Sequence, residues 1–233
     1  MSARVLKYLQ EKWLDRVRQF GLPVSIRQLF LFLVRPVYRM HEDSVLVAPS
    51  IHPIGFKTCS EVVELTIDLL REKKGLWSLA QETEKLLDLH LGSGCRGVMI
   101  EENGRLAGYA FVQFDGIYRF GKCGRFMVPS NGAVLKNLYV FPEFRGRGLG
   151  KQLNAARLAA IPRGCIPIVF VLPENRYAVR NLKMFGFAEM LRILRITWLG
   201  RITKQRIVRI VDNKMSRRLS EYIQDSPLSK SAG

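Results

Sequence analysis

Cysteine, histidine and long apolar runs are all scarce in this chain of 233 residues. Its four cysteines are widely spread and form no C-x-x-C pair, which argues against a disulfide scaffold and against a zinc site. We therefore expect no metal and a reducing, cytoplasmic location. The most apolar run, Leu29–Val34, is far too short to cross a bilayer.

Acidic residues are also few. The chain has 37 Lys and Arg against 20 Asp and Glu, which gives a net charge of +17. Such a charge favours anionic partners, namely nucleic acid, a membrane surface or a phosphorylated ligand. The excess lies at the two ends, because residues 1–39 carry +6 and residues 192–233 carry +7, leaving +4 between them.

The N-terminal segment has the pattern of an amphipathic helix over Arg4–Phe20. A basic helix that carries Trp13 and Phe20 can lie on an anionic membrane, although most such apolar faces pack on their own domain. Nucleic acid is the weaker alternative, since no known binding motif is present. We expect a basic helical extension over residues 1–43, a domain over 44–212 and a basic, polar tail over 213–233.

Periodicity between these ends alternates between helical and strand spacing. The predicted helices are Ser25–Val34, Ser60–Lys73, Ser78–Leu91, Gly150–Ala160 and Arg176–Phe185. The predicted strands are Ser44–Ala48, Gly97–Ile100, Leu106–Phe114, Val134–Phe141, Ile166–Leu172 and Phe187–Leu199, with Arg201–Ile210 pairing to the last. Asn103-Gly104 predicts a type I′ hairpin turn, and Ile117–Phe120 or Arg125–Val128 a further short strand. This order predicts an α+β (mixed α/β) fold around one sheet.

A glycine-rich turn stands between a predicted strand and a predicted helix. It reads Arg145-Gly146-Arg147-Gly148-Leu149-Gly150-Lys151. A helix N-terminus presents unpaired amide groups and a partial positive charge, and glycine lets the backbone approach a bulky anion. The turn is therefore a candidate phosphate site.

Two common nucleotide loops do not fit this turn. A Walker A loop needs Gly where Arg145 stands and Ser or Thr where Gln152 stands. A dinucleotide fingerprint needs the spacing G-x-G-x-x-G, whereas the glycines here are Gly146, Gly148 and Gly150.

The turn does resemble the pyrophosphate loop of the GCN5-related N-acetyltransferase (GNAT) family. That loop has Arg or Gln, two residues, Gly, one residue, and then Gly or Ala, which Arg145, Gly148 and Gly150 match. The approach through Leu138-Tyr139-Val140 resembles the family's usual strand. A second block, Asn175 and Ala178 followed by Gly186-Phe187, matches in order and spacing.

The resemblance implies a twisted, splayed mixed sheet that opens between the strands Val134–Phe141 and Ile166–Leu172 and admits acetyl-CoA or another acyl-CoA. It also implies which residues contact this co-substrate, through strand pairing with its pantetheine arm and loop amides on its pyrophosphate. These residues are Leu138, Tyr139, Val140, Arg145, Gly146, Arg147, Gly148, Leu149, Gly150, Lys151 and, near the thioester, Asn175.

The sequence departs from the family at its proton chemistry. The position where many members carry a Tyr acid is Leu182, and the strand that often carries a carboxylate base has Lys136 and Asn137. Glu143 is the nearest acid. We assign no catalytic residue, and we expect packing rather than chemistry from Tyr139.

The sequence thus predicts an N-acyltransferase that moves an acyl group, acetyl first among them, from CoA to the amine of a small molecule or precursor by direct attack. The alternative is a GNAT-like basic module with weakened catalysis that binds an anionic membrane or nucleic acid. Leu182 is the residue that favours the alternative.

Overall fold

The structure is a computed structural model. It describes residues 38–48, 61–121, 124–198 and 202–225, together with the isolated positions 23 and 26. The helix predicted at Arg4–Phe20, nearly all of that at Ser25–Val34, and the last eight residues of the expected tail lie outside this part of the chain.

The described chain is a succession of strands with five α-helices and one short 3₁₀ turn, Pro142–Phe144. The strands are β1 (Tyr38–Val47), β2 (Val62–Leu65), β3 (Arg96–Glu102), β4 (Arg105–Gln113), β5 (Ile117–Phe120), β6 (Gly124–Met127), β7 (Gly132–Val140), β8 (Ile166–Val171), β9 (Ala188–Trp198), β10 (Ile202–Arg209) and β11 (Ile223–Asp225). The helices are α1 (Ile67–Trp77), α2 (Gln81–Gly92), α3 (Leu149–Ala159), α4 (Arg176–Met184) and α5 (Lys214–Glu221).

Eight strands form one mixed sheet in the order β10-β9-β1-β8-β7-β4-β3-β2. Every neighbouring pair is antiparallel except β7 and β8, which run parallel. A second, three-stranded sheet has the order β11-β6-β5. The predicted mixed sheet and the central position of β8 are both confirmed.

Apolar residues cover both faces of the large sheet. On one face, Leu87 of α2 and Phe126 of the small sheet lie over opposite halves of it. On the other face, α3 and α4 contribute Leu153 and Leu182. The sheet is therefore buried between two layers where β7 and β8 pair.

The helix predicted at Ser60–Lys73 is wrong in its first half. Val62–Leu65 is a strand that pairs with β3, and α1 begins only after Thr66, whose hydroxyl accepts from the Leu69 amide at 3.2 Å. The β-branched Val62 and Val63 favour the strand, and Thr66 is a preferred N-cap. The helix predicted from Ser78 likewise begins later, at Gln81.

Other local predictions are confirmed. Asn103 and Gly104 both have positive φ, 52° and 71°, as a type I′ turn requires. Both of the alternative short strands form, as β5 and β6. The expected tail differs, because residues 213–225 form α5 and β11, with Leu219 and Ile223 buried against the domain. The capping box at Asn213 starts this helix.

Candidate functional site

The sheet opens between β7 and β8, as the resemblance implied. The two strands pair only from Gly132 and Ile166 to Leu135 and Val169. Beyond this point β7 continues to Val140, paired with β4 on one side and with no described strand on the other. The backbone of Leu138–Val140 therefore presents an open edge, which is the arrangement that an added strand-like ligand needs.

A β-bulge in β7 accounts for the opening. Two residues, Asn137 and Leu138, stand opposite the single residue Ala110 of β4. Asn137 adopts φ of 47°, a conformation that Asn tolerates better than most side chains. Bulges bend a strand and increase its twist, so β7 turns away from β8 directly after Leu135. The apolar spacing of β7 predicts no bulge, although an Asn inside an apolar strand could have indicated one.

Helices hold the bulge from both sides. The Asn137 amide Nδ2 donates to Nε2 of His90 on α2. From α3, the buried guanidinium of Arg157 donates to the Lys136 carbonyl at 3.4 Å and to Asn154 Oδ1 at 2.7 Å. Burial lowers the pKa of Arg157 to about 9. The bulge is thus a supported feature of the fold.

The predicted phosphate loop joins β7 to α3. Gly146 and Gly148 have φ of 83° and 80°, and a Cβ added at either would meet no atom within 4 Å. Positive φ explains the two glycines, and the empty space beside them can accommodate an anion. The first backbone hydrogen bonds of α3 are donated by the amides of Lys151 and Gln152 to the Gly148 carbonyl. The amides of Gly146 to Gly150 precede the first helical hydrogen bond, as at an anion-binding helix N-terminus, whereas the Arg145 amide donates to the Pro142 carbonyl at 3.2 Å.

The basic side chains of the loop do different things. Arg145 donates through Nε to the Val140 carbonyl at 3.0 Å, and its guanidinium lies 5.7 Å from the centre of the Tyr139 ring. Arg147 forms a 2.9 Å ion pair with Glu102. Lys151 is exposed on the first turn of α3. Arg145 therefore shapes the turn, and Lys151 is the better-placed charge for a ligand.

Two asparagines of the second matched block have defined partners. The Asn175 side chain accepts from the Ala178 amide at 3.1 Å and caps α4. Asn181, which the sequence analysis did not select, donates to the Gly150 carbonyl at 3.3 Å. It thereby ties α4 to the first turn of α3, beside the loop. Proximity of Asn175 to a thioester stays a prediction.

The groups considered for proton transfer are engaged elsewhere. Leu182 is 3% exposed and packs in the core with Phe185 and Phe187. The Glu143 carboxylate accepts from Arg105 at 2.6 Å. Tyr139 is 38% exposed, and its ring centre lies 5.8 Å from that of Tyr109 and 5.1 Å from that of Phe141.

His90 is the titratable side chain that contacts Asn137 in the bulge. It is 9% exposed, and burial together with the nearby Lys136 charge lowers its pKa to about 4. The imidazole is therefore neutral near pH 7, consistent with Nε2 accepting a hydrogen bond. The contact of His90 with Asn137 therefore supports the bulge.

One region of the structure contains the open strand edge, the glycine loop and both sequence blocks that resemble the GNAT family. A family model described as the acetyltransferase (GNAT) family matches residues 62–187, which is more than half of the chain. The chain belongs to the GNAT family of acetyltransferases. The matched range of this GNAT domain runs from β2 to Phe187, the residue before β9, so it includes the loop and both strands of the opening.

Solved structures similar to this GNAT domain are distant. A protein assigned to the GNAT family from Novosphingobium aromaticivorans is 22% identical, with a TM-score of 0.48 over 68% of this chain and 64% of its own. The aminoglycoside N-acetyltransferase AAC(6')-Iy in complex with CoA is also 22% identical, with a TM-score of 0.41 over 55% and 92%. A GNAT acetyltransferase from Colwellia psychrerythraea is 14% identical, with a TM-score of 0.46 over 69% and 57%.

These scores are all below 0.5, so the family assignment depends on the sequence model and not on these structures. The chain spans less than two thirds of the first two structures that match, 64% and 59% of their lengths. A comparison with curated proteins found no match.

Two further observations concern the described residues only. They contain no group of three or more His, Cys, Asp or Glu side chains that is arranged to hold a metal ion. None of their helices is both long enough and apolar enough to span a membrane.

Proposed function

We propose that this GNAT domain transfers an acetyl group from acetyl-CoA to an amine by direct attack. The observation that carries the proposal is the loop after β7, where two glycines with positive φ leave open space in front of the N-terminus of α3. The open edge of β7 supports it, because a pantetheine arm can pair there as a strand does.

The proposed contacts divide between backbone and side chains. Amides from Gly146 to Gly150 would hold the pyrophosphate, because the Arg145 amide donates to the Pro142 carbonyl at 3.2 Å. Lys151 would add charge from the exposed side of α3. The backbone of Leu138–Val140 would align the arm, and a β7 amide would polarise the thioester carbonyl. The thioester supplies an activated acyl group. These roles need positioned backbone, and the bulge with its supports provides that position.

Proton transfer in this proposal does not use a family-type acid. Leu182 is buried and aliphatic, so the leaving thiolate would take its proton from solvent or from the acceptor. We expect a rate that rises with pH until the acceptor amine is deprotonated. We propose a cytoplasmic location, which the spread cysteines of the sequence favour. The acceptor is proposed as an amine of a small molecule or precursor.

The test is a pair of glycine substitutions in the loop, with binding of acetyl-CoA measured by calorimetry. Gly148→Glu places a carboxylate at a φ of 80°, in the open space of the loop. We expect a loss of at least about 100-fold in affinity, from strain and charge repulsion together. Saturable binding with unchanged affinity in this variant would refute the placement.

Gly150→Ala is the matched control. A Cβ at Gly150 would make only ordinary contacts of 3.8 to 4.0 Å, and its φ is not positive. We expect affinity within about threefold of the wild type, since a helix tolerates Ala well. Turnover is then measured by thiol release over a panel of amines. Binding without any turnover would favour the alternative of a weakened, basic binding module.

A further inference from the structure

A cavity lies at the end of the sheet remote from the phosphate loop. Its volume is about 240 Å³, and its walls include Ile166 and Ile168 at the start of β8. Gly132, the first residue of β7, also lines it. Because β7 has nine residues, the cavity and the loop lie about 26 Å apart along this strand at ~3.3 Å per residue. The cavity is therefore separate from the proposed acyl-CoA cleft.

The cavity combines apolar walls with two cations. Met215 and Leu219 of α5 face Ile166 and Ile168 across it. Lys214 and Arg218 also line it, and both are exposed. They stand four residues apart on α5, which puts their side chains on the same face of the helix.

The charges of these two residues are not neutralised within the described part of the chain. Neither Lys214 nor Arg218 forms an ion pair there, and no carboxylate lines the cavity. The adjacent Arg217 differs, because it pairs with Asp212 at 3.0 Å. Of the three basic residues of α5, Arg217 therefore pairs with an acidic residue of the same chain. Lys214 and Arg218 are the two cations at the rim of the apolar cavity.

We propose that this cavity binds a small anionic amphiphile, with its apolar chain between β8 and α5 and its carboxylate or phosphate head against Lys214 and Arg218. Apolar walls gain free energy by excluding water, which selects an apolar body over a simple hydrated anion. Two adjacent cations select against a cationic head. A volume below the ~300 Å³ of drug-sized sites selects a single short chain.

The test uses sodium octanoate as the probe and calorimetry of the full chain as the measurement. We expect saturable, one-to-one binding of octanoate, and no saturable binding of octyltrimethylammonium or of acetate. Lys214→Glu combined with Arg218→Glu should weaken octanoate binding about tenfold or more. Because both heads are exposed, this variant should keep the melting temperature of the wild type.

Three further variants make the result specific. The double variant Lys204→Glu, Arg206→Glu changes the net charge by the same amount, but on the exposed face of β10. It should leave octanoate affinity unchanged. Met215→Trp fills the cavity and should abolish binding, whereas Gly148→Glu, which blocks the proposed acyl-CoA loop, should not affect it. The proposal is overturned if the wild type does not bind octanoate, if octyltrimethylammonium binds equally well, or if the β10 control loses the same affinity.

Flotation with vesicles of phosphatidylglycerol and phosphatidylcholine identifies the source of the anionic head. Binding by the wild type that is lost in the Lys214→Glu, Arg218→Glu variant assigns the head to a membrane lipid. Recovery of the wild type in the soluble fraction, together with octanoate binding, assigns it to a free amphiphile. Vesicle binding that this variant retains, without octanoate binding, overturns the proposal.

Discussion

Two neighbouring polar residues at the β7 bulge, Lys136 and Asn137, each have a side-chain partner. His90 accepts from Asn137, and Lys136 Nζ donates to Gln113 Oε1 at 3.0 Å. The His90 ring also lies 4.9 Å from that of Phe111. A buried imidazole beside a lysine is stable only when neutral, so its hydrogen bond depends on pH.

Acid should therefore destabilise the fold through His90. Its pKa is about 4 in the folded chain against a usual 6.5, so the unfolded state binds more protons between these values. Stability then falls as pH decreases through this window, by about 2 kcal/mol between pH 7 and pH 5. Urea denaturation at both pH values measures the loss.

His90→Gln is the comparison for this effect, because glutamine stays neutral at both pH values. The difference in unfolding free energy between wild type and variant should shrink as pH falls. An equal difference at pH 7 and pH 5 would show that His90 does not titrate in this window.

At the scale of elements, boundaries follow local chemistry more than average periodicity. The apolar spacing of Val62, Val63 and Leu65 fits a helix as well as a strand, and pairing with β3 decides between them. Thr66 marks the junction from which α1 starts. In β7, the spacing predicts one regular strand, whereas Asn137 inserts an additional residue opposite β4.

The bulge should respond differently to two substitutions of Asn137. Glycine adopts a φ of 47° freely, whereas a side chain without a polar group, as in alanine, is strained there by roughly 1 kcal/mol or more. Both changes remove the hydrogen bond to His90. We expect Asn137→Ala to lose more stability and more acetyl-CoA affinity than Asn137→Gly, as measured by thermal unfolding and calorimetry. Equal effects would show that the backbone conformation at this position does not shape the opening.

At the scale of the whole molecule, a buried arginine joins the two sheets. Arg195 of β9 is 4% exposed and donates to Asp43 of β1 at 2.7 Å and to the Phe120 carbonyl of the small sheet at 3.1 Å. Its guanidinium lies 4.6 Å from the centre of the Phe120 ring. A Cβ at Gly124 would lie 2.6 Å from Arg195 Nη1, so the small sheet approaches the large one closely at this point.

Removing this arginine should be costly, because the buried Asp43 would keep only the His41 imidazole, whose Nε2 lies 3.2 Å from Asp43 Oδ2, as a partner. We expect Arg195→Met to lower the free energy of unfolding by about 3–5 kcal/mol. Adding Asp43→Asn removes the uncompensated charge and should recover part of the loss. Urea denaturation of the two variants measures both effects. A loss below about 1 kcal/mol in the single variant would indicate that Arg195 does not join the sheets.

Much of the candidate site could be predicted from short segments of the sequence. The glycine loop, the strand before it and the block from Asn175 to Phe187 are local patterns, and each occupies the element that its spacing predicts. The hairpin at Asn103-Gly104 is equally local, because its two positive φ values suit those residue types. The sequence was less informative for residues 213–225. Their basic composition is typical of an exposed tail, whereas Leu219 and Ile223 are buried in the hydrophobic core.

By itself, the sequence determined the family, the central strands, the loop and the absence of a Tyr acid at Leu182. Each of these depends on residues that are close together in the sequence. Only the tertiary structure decided how His90, Arg157 and Asn137 meet at one bulge, and how Arg195 joins the sheets. It also decided that α5 and β8 enclose a cavity with two cations at its rim. These contacts join residues tens to more than a hundred positions apart in the sequence. Such pairings arise from packing and burial, and the spacing of neighbouring residues does not predict them.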